Sequence, residues 1–236
     1  MEGRVRGAIL AVLSFPSSPR TPRNSSRIGF AASVATSVGL LLGLGGCGDA
    51  SHRYIANKDE NVYLKVPAAW NDLSFDDADS DRLEDLTSQV TLVWRAGATP
   101  DPRGTPDSVD PASPLAFVAV YEVDGQLNQQ MSASLARLAA SPLGFDPVIP
   151  GDDAQQSLVE VLDYMPLDFE DMSGTRVIFR YREDSTAEWS EIYDVSSAYD
   201  SSRFRLYVLQ VGCDTACFES NQDAIKKVAD SWLVTQ

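Results

Sequence analysis

Apolar positions along the chain recur with two periods. Val62, Leu64 and Val66 alternate with polar neighbours, the pattern of a half-buried strand over 61–66, and Pro67-Ala68-Ala69-Trp70 ends it. Val90, Leu92 and Trp94 repeat the alternation, and Leu115 to Val123 is almost continuously apolar, as in a buried strand. Leu127, Met131, Leu135 and Leu138 follow at steps of four, four and three, which predicts one amphipathic helix over about 126–140. A weak strand is expected near 158–162. Three further runs, 175–182, 189–195 and 203–211, are separated by short polar stretches and read as an antiparallel meander. In the last run Leu206 and Val208 share one face, and Tyr207, Leu209 and Val211 the other, so that strand is expected to be covered on both sides. Ser220-Asn221-Gln222-Asp223 fits a capping box, and Ile225, Val228, Ala229 and Trp232 continue it as a helix that packs on a sheet. Residues 96–114 hold five prolines, two glycines and three aspartates and read as a long surface loop. These elements predict an α+β fold, an antiparallel β-sheet flanked by helices in an α/β sandwich.

The segment before the first strand has a different character. Residues 1–46 carry five arginines against the single acid Glu2, and Ile28 to Leu44 is an uncharged run of seventeen apolar or small residues. That run is just short of the ~18 expected of a spanning helix, and it ends in small residues, the order of a secretory signal. Leu44-Gly45-Gly46-Cys47 resembles the lipobox of bacterial lipoproteins, in which the chain is cut before the cysteine and its thiol is lipidated. The other reading is a retained membrane helix with an incidental cysteine. The stretch 43–48 also matches G-x-G-x-x-G, but a dinucleotide site needs a strand before it and a helix after it, and neither is expected here. The expected division is a signal peptide at 1–46, a polar tether at 47–60 with a reach of roughly 45 Å, and a single domain at 61–236. The expected location is the cell membrane, on the extracytoplasmic face.

Charge and composition narrow the partners. The 236 residues include 34 acids and 19 bases, a formal charge of −15, and loss of residues 1–46 would take it to −19. A surface this acidic repels phosphate backbones and anionic lipid, so no nucleic acid is expected and the membrane is reached through a lipid on Cys47. One histidine, His52, leaves no His-based metal site or Ser-His-Asp triad, and no G-x-S-x-G, S-x-x-K or G-K-[ST] is present. Asp77-x-Asp79-x-Asp81 imitates the start of a calcium loop, but Arg82 and Ser88 stand where the turn glycine and the closing glutamate belong. No cofactor is expected. With Cys47 lipidated, Cys213 and Cys217 remain; outside the cytoplasm a structural disulfide is expected, in preference to a zinc or redox pair.

Val62–Val66 followed by Pro67 and Trp70, the meander over 175–211, and the closing Ile225-x-x-Val228-x-x-Ser231-Trp232-Leu233-Val234 together resemble the PsbP-like superfamily, which includes actinobacterial lipoproteins of the LpqN type. The resemblance covers nearly all of 61–236. It implies an antiparallel sheet with flanking helices and an accessory or binding role, and it implies no catalytic residues.

Two surfaces are candidates for function. Arg180 and Arg182 share a strand face, as do Arg203 and Arg205, and Trp189 lies in a polar neighbourhood; cross-strand pairing with acids is one reading and a partner surface the other. The expected function is a non-catalytic accessory or protein-binding domain with an envelope protein as partner. The alternative is a small-ligand carrier or sensor, with a pocket between the 126–140 helix and the meander lined by Trp94, Tyr121 and Phe179. A carboxylate-based enzyme is the third possibility.

Overall fold

A computed structural model describes residues 51–75, 89–169 and 172–235. The small sheet contains β1 (His52–Asn57), β2 (Val62–Pro67) and β10 (Leu233–Val234), in the order β1-β2-β10. The large sheet holds β3 (Asn71–Asp72), β4 (Val90–Thr99), β5 (Leu115–Val123), β6 (Val159–Phe169), β7 (Met172–Tyr181), β8 (Glu191–Asp200) and β9 (Arg205–Asp214). Its order is β3-β4-β5-β9-β8-β7-β6, with every neighbouring pair antiparallel. Among the described residues there are four α-helices: α1 (Gly125–Asn128), α2 (Ala133–Ala140), α3 (Asp153–Leu158) and α4 (Thr215–Asp230). The α+β class and the antiparallel meander are as the sequence leads one to expect.

Alternation along the strands divides the core in two. On one face Val118, Val120, Tyr207, Leu209 and Val211 pack under α4 and the small sheet, with Val62, Leu64, Val66, Ile225 and Val228. On the other, Ala119, Tyr121, Val177, Phe179, Leu206 and Val208 pack under Ala136 and Ala140 of α2 and the loop side chains Phe145 and Val148. β9 is therefore covered on both sides. Gly212 in β9 is a steric requirement, since a Cβ there would lie 2.8 Å from the carbonyl oxygen of Ile192.

Several elements depart from the expected pattern. The weak strand expected near 158–162 is the eleven-residue β6, and residues 96–99 of the expected loop continue β4. The polar stretch read as tether is strand from His52 onward: β1 pairs with β2 from His52↔Pro67 to Asn57↔Val62, and its polar side chains suit an edge strand with only Ile55 buried. The helix expected over 126–140 is two helices. Asp124 caps α1 by accepting from the N–H groups of Gln126 and Leu127, and the chain then reaches an extended Ser132 that caps α2 by accepting from Leu135 N–H. The restart rotates the buried stripe to Ala136, Arg137 and Ala140, and leaves Leu138 exposed. The second meander strand runs on through the polar Ser196, Ser197 and Asp200, all buried. Helix α4 begins before the capping box, at Asp214, whose carboxylate accepts from Cys217 N–H at 2.7 Å.

Candidate functional site

Arg180, near the end of β7, and Arg182, just beyond it, bring both guanidinium carbons to 4.5 Å from the centre of the Trp189 ring. The tryptophan sits in the connection between β7 and β8, and its backbone is fixed there. Ser190 N–H donates to Tyr181 O at 2.9 Å, Thr215 N–H to Ser190 O at 3.1 Å, and the Thr215 hydroxyl to Trp189 O at 2.9 Å. The same corner holds Cys213 at the end of β9 and Cys217 in the first turn of α4, at disulfide distance, with Cα atoms 5.9 Å apart. Pro111 O accepts from Asp214 N–H at 2.7 Å, so the proline-rich loop also docks here. Trp189 is half-buried against the arginines rather than free in solvent.

The bases at this corner are partly committed. Arg180 pairs with Glu160 of β6 at 2.6 Å, and Arg182 Nε donates to Ser157 O at 2.8 Å. Cation–π contact, with a carboxylate beside Arg180 and a backbone carbonyl beside Arg182, fixes the guanidiniums against the ring. Glu191, the register partner of Tyr181, lies on the opposite face of the sheet from Arg180, half-buried and accepting from the Tyr193 hydroxyl at 2.7 Å. Burial raises its pKa above the ordinary value, the Tyr193 bond opposes this, and the charges of Glu183 and Asp214 add to the rise.

Arg203 and Arg205 do not join this surface. The register pairs Arg180 with Ile192 and Asp200 with Arg205, which puts the two arginine groups at opposite ends of the meander. Nor do Arg203 and Arg205 share a regular strand face, because Phe204 between them has φ 57, a left-handed conformation uncommon for a bulky residue. They converge instead on Glu60, Arg205 at 3.0 Å and Arg203 at 4.0 Å, and Arg205 also pairs with Glu122 at 2.9 Å. Pairing with acids, cross-strand for Arg205 with Glu122 and through the β1–β2 turn for Glu60, accounts for them.

The pocket expected between the helix and the meander is not built from the expected residues. Tyr121 and Phe179 are buried in the α2-side core, whereas Trp94 packs on the opposite face with the α4 cluster. An open cleft of about 450 Å³ does exist, but on the outer side of α2, where Leu135, Leu138, Phe145 and Ile149 meet the loop 144–151. Among the described residues no three His, Cys, Asp or Glu side chains converge on a metal-sized site. Cys47 and the acidic cluster at 76–85 lie outside the described residues.

One ionic cluster was not anticipated. Arg176 of β7 is buried under α4, bidentate to Asp194 of β8 at 2.7 and 2.5 Å and bonded to Asp230 of α4 at 2.6 Å. Burial lowers the Arg176 pKa, and the two carboxylates raise it by more, so it stays charged. A second buried pair joins Arg137 of α2 to Asp146 at 2.9 Å, with Ser134 donating to the same carboxylate at 2.7 Å. The sequence offers no signal that separates these arginines from the surface ones; only the register and the helix phase do.

The class defined by this architecture is an α+β sandwich with the arginine–tryptophan corner at one end of its large sheet. No protein-family model and no curated protein matches the sequence. Among solved structures, the chain is similar to the PsbP protein CyanoP of Synechocystis sp. PCC 6803, with 14% identity, 83% of this chain and 99% of that chain covered, and a TM-score of 0.49. It is also similar to LpqN of Mycobacterium tuberculosis, described as involved in cell envelope biogenesis, with 12% identity, 78% and 91% covered, and a TM-score of 0.42. A Ran-binding protein of Saccharomyces cerevisiae matches with 9% identity, 78% and 95% covered, and a TM-score of 0.38. Both groups named in the sequence resemblance are among these neighbours.

Proposed function

We propose that this protein is a membrane-anchored extracytoplasmic lipoprotein whose α+β domain is a non-catalytic accessory that docks a partner protein in the cell envelope. The observation that carries this reading is Trp189 held 4.5 Å from both Arg180 and Arg182 on a rigid corner. Tryptophan and arginine are the residues that dominate binding energy at interfaces, above all where their rotamers are fixed before the partner arrives. The fold sharpens the role of the anchor. Because β1 starts at His52, only residues 48–51 separate Cys47 from the sheet, a reach of about 15 Å at most. A lipid on Cys47 would hold the domain against the bilayer, which its acidic surface does not approach by charge alone.

The test uses the full chain in a lipoprotein-competent bacterium. Detergent-phase partitioning is expected, and Cys47→Ser abolishes it. Crosslinking in membranes is expected to recover one defined protein, and Trp189→Ala with Arg182→Glu to lose it while the fold is retained. Partitioning that ignores Cys47→Ser defeats the anchor. A complex indifferent to the corner variant defeats the docking surface. The carrier alternative is carried by the open cleft of about 450 Å³ outside α2 and forecasts a small-molecule thermal shift that Leu138→Trp removes.

A further inference from the structure

The two edges of the large sheet are not equally protected. The large sheet ends on one side in β3, two residues long, and on the other in β6, eleven residues long. Short edges are safe, and long ones template the addition of another strand unless something blunts them. Along β6 three large apolar side chains are exposed together: Val161 at 37%, Leu162 at 46% and Tyr164 at 45%. Val161 and Tyr164 extend the sheet face that carries Phe179 and Val177, their partners on β7, and a bulge between Val161 and Asp163 turns Leu162 out of that register. No described strand pairs with the outer side of β6.

Two details limit where a strand can be added. Tyr164 N–H is taken by the carboxylate of its own neighbour, Asp163, at 2.8 Å, so it points away from the β7 ladder. Pro166 shares the parity of Tyr164, which puts its missing N–H on the same open side and closes the usable edge there. The other end of the open stretch is Glu160, paired with Arg180 of the arginine–tryptophan corner. Residues 160–165 thus form a short open edge that begins at the proposed docking surface.

We propose that the partner adds an extended, basic segment to β6 over residues 160–165, as an eighth strand of the large sheet. This rests on the reading of the corner as a docking surface. Main-chain bonds supply the affinity in such additions, and alternate side chains supply the choice of partner. Here Val161, Leu162 and Tyr164 offer apolar contact, and a lysine or arginine pairing with Asp163 frees the Tyr164 N–H for the new ladder. The sign of the charge also argues against a second copy of this chain. A second copy would bring another chain of net charge −15 to an edge that already carries Glu160 and Asp163.

The experiment places a photo-crosslinking residue at position 162 or at position 188 in the full, membrane-anchored chain. Capture at both positions is expected, with the segment trapped at 162 carrying lysine or arginine in an extended conformation. Leu162→Lys is expected to lower capture at 188 by more than about tenfold, since like charges placed together cost several kcal/mol, while Leu162→Ile preserves it. Melting and circular dichroism of both variants control for folding. Undiminished capture at 188 with Leu162→Lys overturns strand addition and leaves the docking surface standing. Capture of a second copy of this chain, or of an acidic or helical segment, at position 162 also overturns it. Loss of capture at both positions in the unsubstituted chain overturns the docking surface as well.

Discussion

The two faces of the large sheet are closed by different means. On one, a sixteen-residue helix and a second sheet cover the strands, and the buried apolar cluster has twenty-three members among the described residues. On the other, an eight-residue helix and a loop do the work, with a cluster of twelve. Each face nevertheless contains one buried arginine–aspartate pair. Arg176 ties two strands to α4, whereas Arg137 ties α2 to the loop that follows it. The same chemistry thus clamps regular elements on one side and a local turn on the other. A clamp between distant elements is released only by global opening, whereas a local one can open by itself.

The largest effect is expected from Asp194→Ala. It leaves the Arg176 charge buried beside one remaining carboxylate, and breaking such a pair costs about 3–5 kcal/mol. Asp146→Ala is expected to cost less, because the loop can lift and let water reach Arg137. Urea unfolding of both variants measures the difference, and equal losses would mean that the two faces are not distinct. Acid sharpens the contrast. Burial raises the Asp146 pKa, and its bonds to Arg137, Ser134 and Val148 N–H lower it by more, so the net direction is down. A depressed carboxyl stabilises the fold above its unfolded pKa, near 3.9, and that stability disappears as pH falls through the folded value. Amides of 141–152 are therefore expected to exchange before those of 215–230 as the pH is lowered.

A smaller loss is expected from Cys213→Ala with Cys217→Ala. The bridge closes a ring of five residues, worth about 2 kcal/mol on the chain-entropy argument. The loss is local to the start of α4 and to the corner that fixes Trp189. Tryptophan fluorescence at that corner is expected to change while the Arg137–Asp146 face keeps its exchange protection. Uniform loss of protection would show the two faces to be one cooperative unit.

How far this comparison can be read in the sequence depends on which forces act. Strands with apolar side chains on a fixed parity are legible, because burial alone places them: Val62–Val66, Leu115–Val123 and Leu206–Val211 stand where the pattern puts them. The stripe Ile225, Val228, Ala229 and Trp232 is buried as read. What escaped was buried polar structure. Ser196, Ser197 and Asp200 read as a surface connection, yet they continue β8 because Asp194 answers Arg176 and Asp200 caps the turn to Arg203. The break between α1 and α2 is set by Asp124 and Ser132 acting as caps, a short-range preference that the apolar stripe outweighed on paper. Of the candidate residues, Trp189, Arg180 and Arg182 were brought together, but the role of Glu160 required the β6–β7 register, which no single strand reveals.

The smallest expected effect lies where the two faces meet. Glu191 pairs with Asp214 across β8 and β9, and its carboxyl is half-buried next to the Glu183 and Asp214 charges. Burial first, and those like charges after it, raise its folded pKa above the unfolded value. A carboxyl raised on folding contributes stability that is complete below its unfolded pKa and lost as pH rises through the folded one. At neutral pH the ionised Glu191 therefore works against the fold. Glu191→Gln removes that charge and keeps an oxygen for the Tyr193 hydroxyl. The variant is expected to melt higher than the parent near pH 7, with the gain shrinking toward pH 4. This is opposite in sign to the acid sensitivity expected of the Asp146 loop, so a gain that grows on acidification would show that Glu191 is held by its bond to Tyr193 rather than opposed by burial.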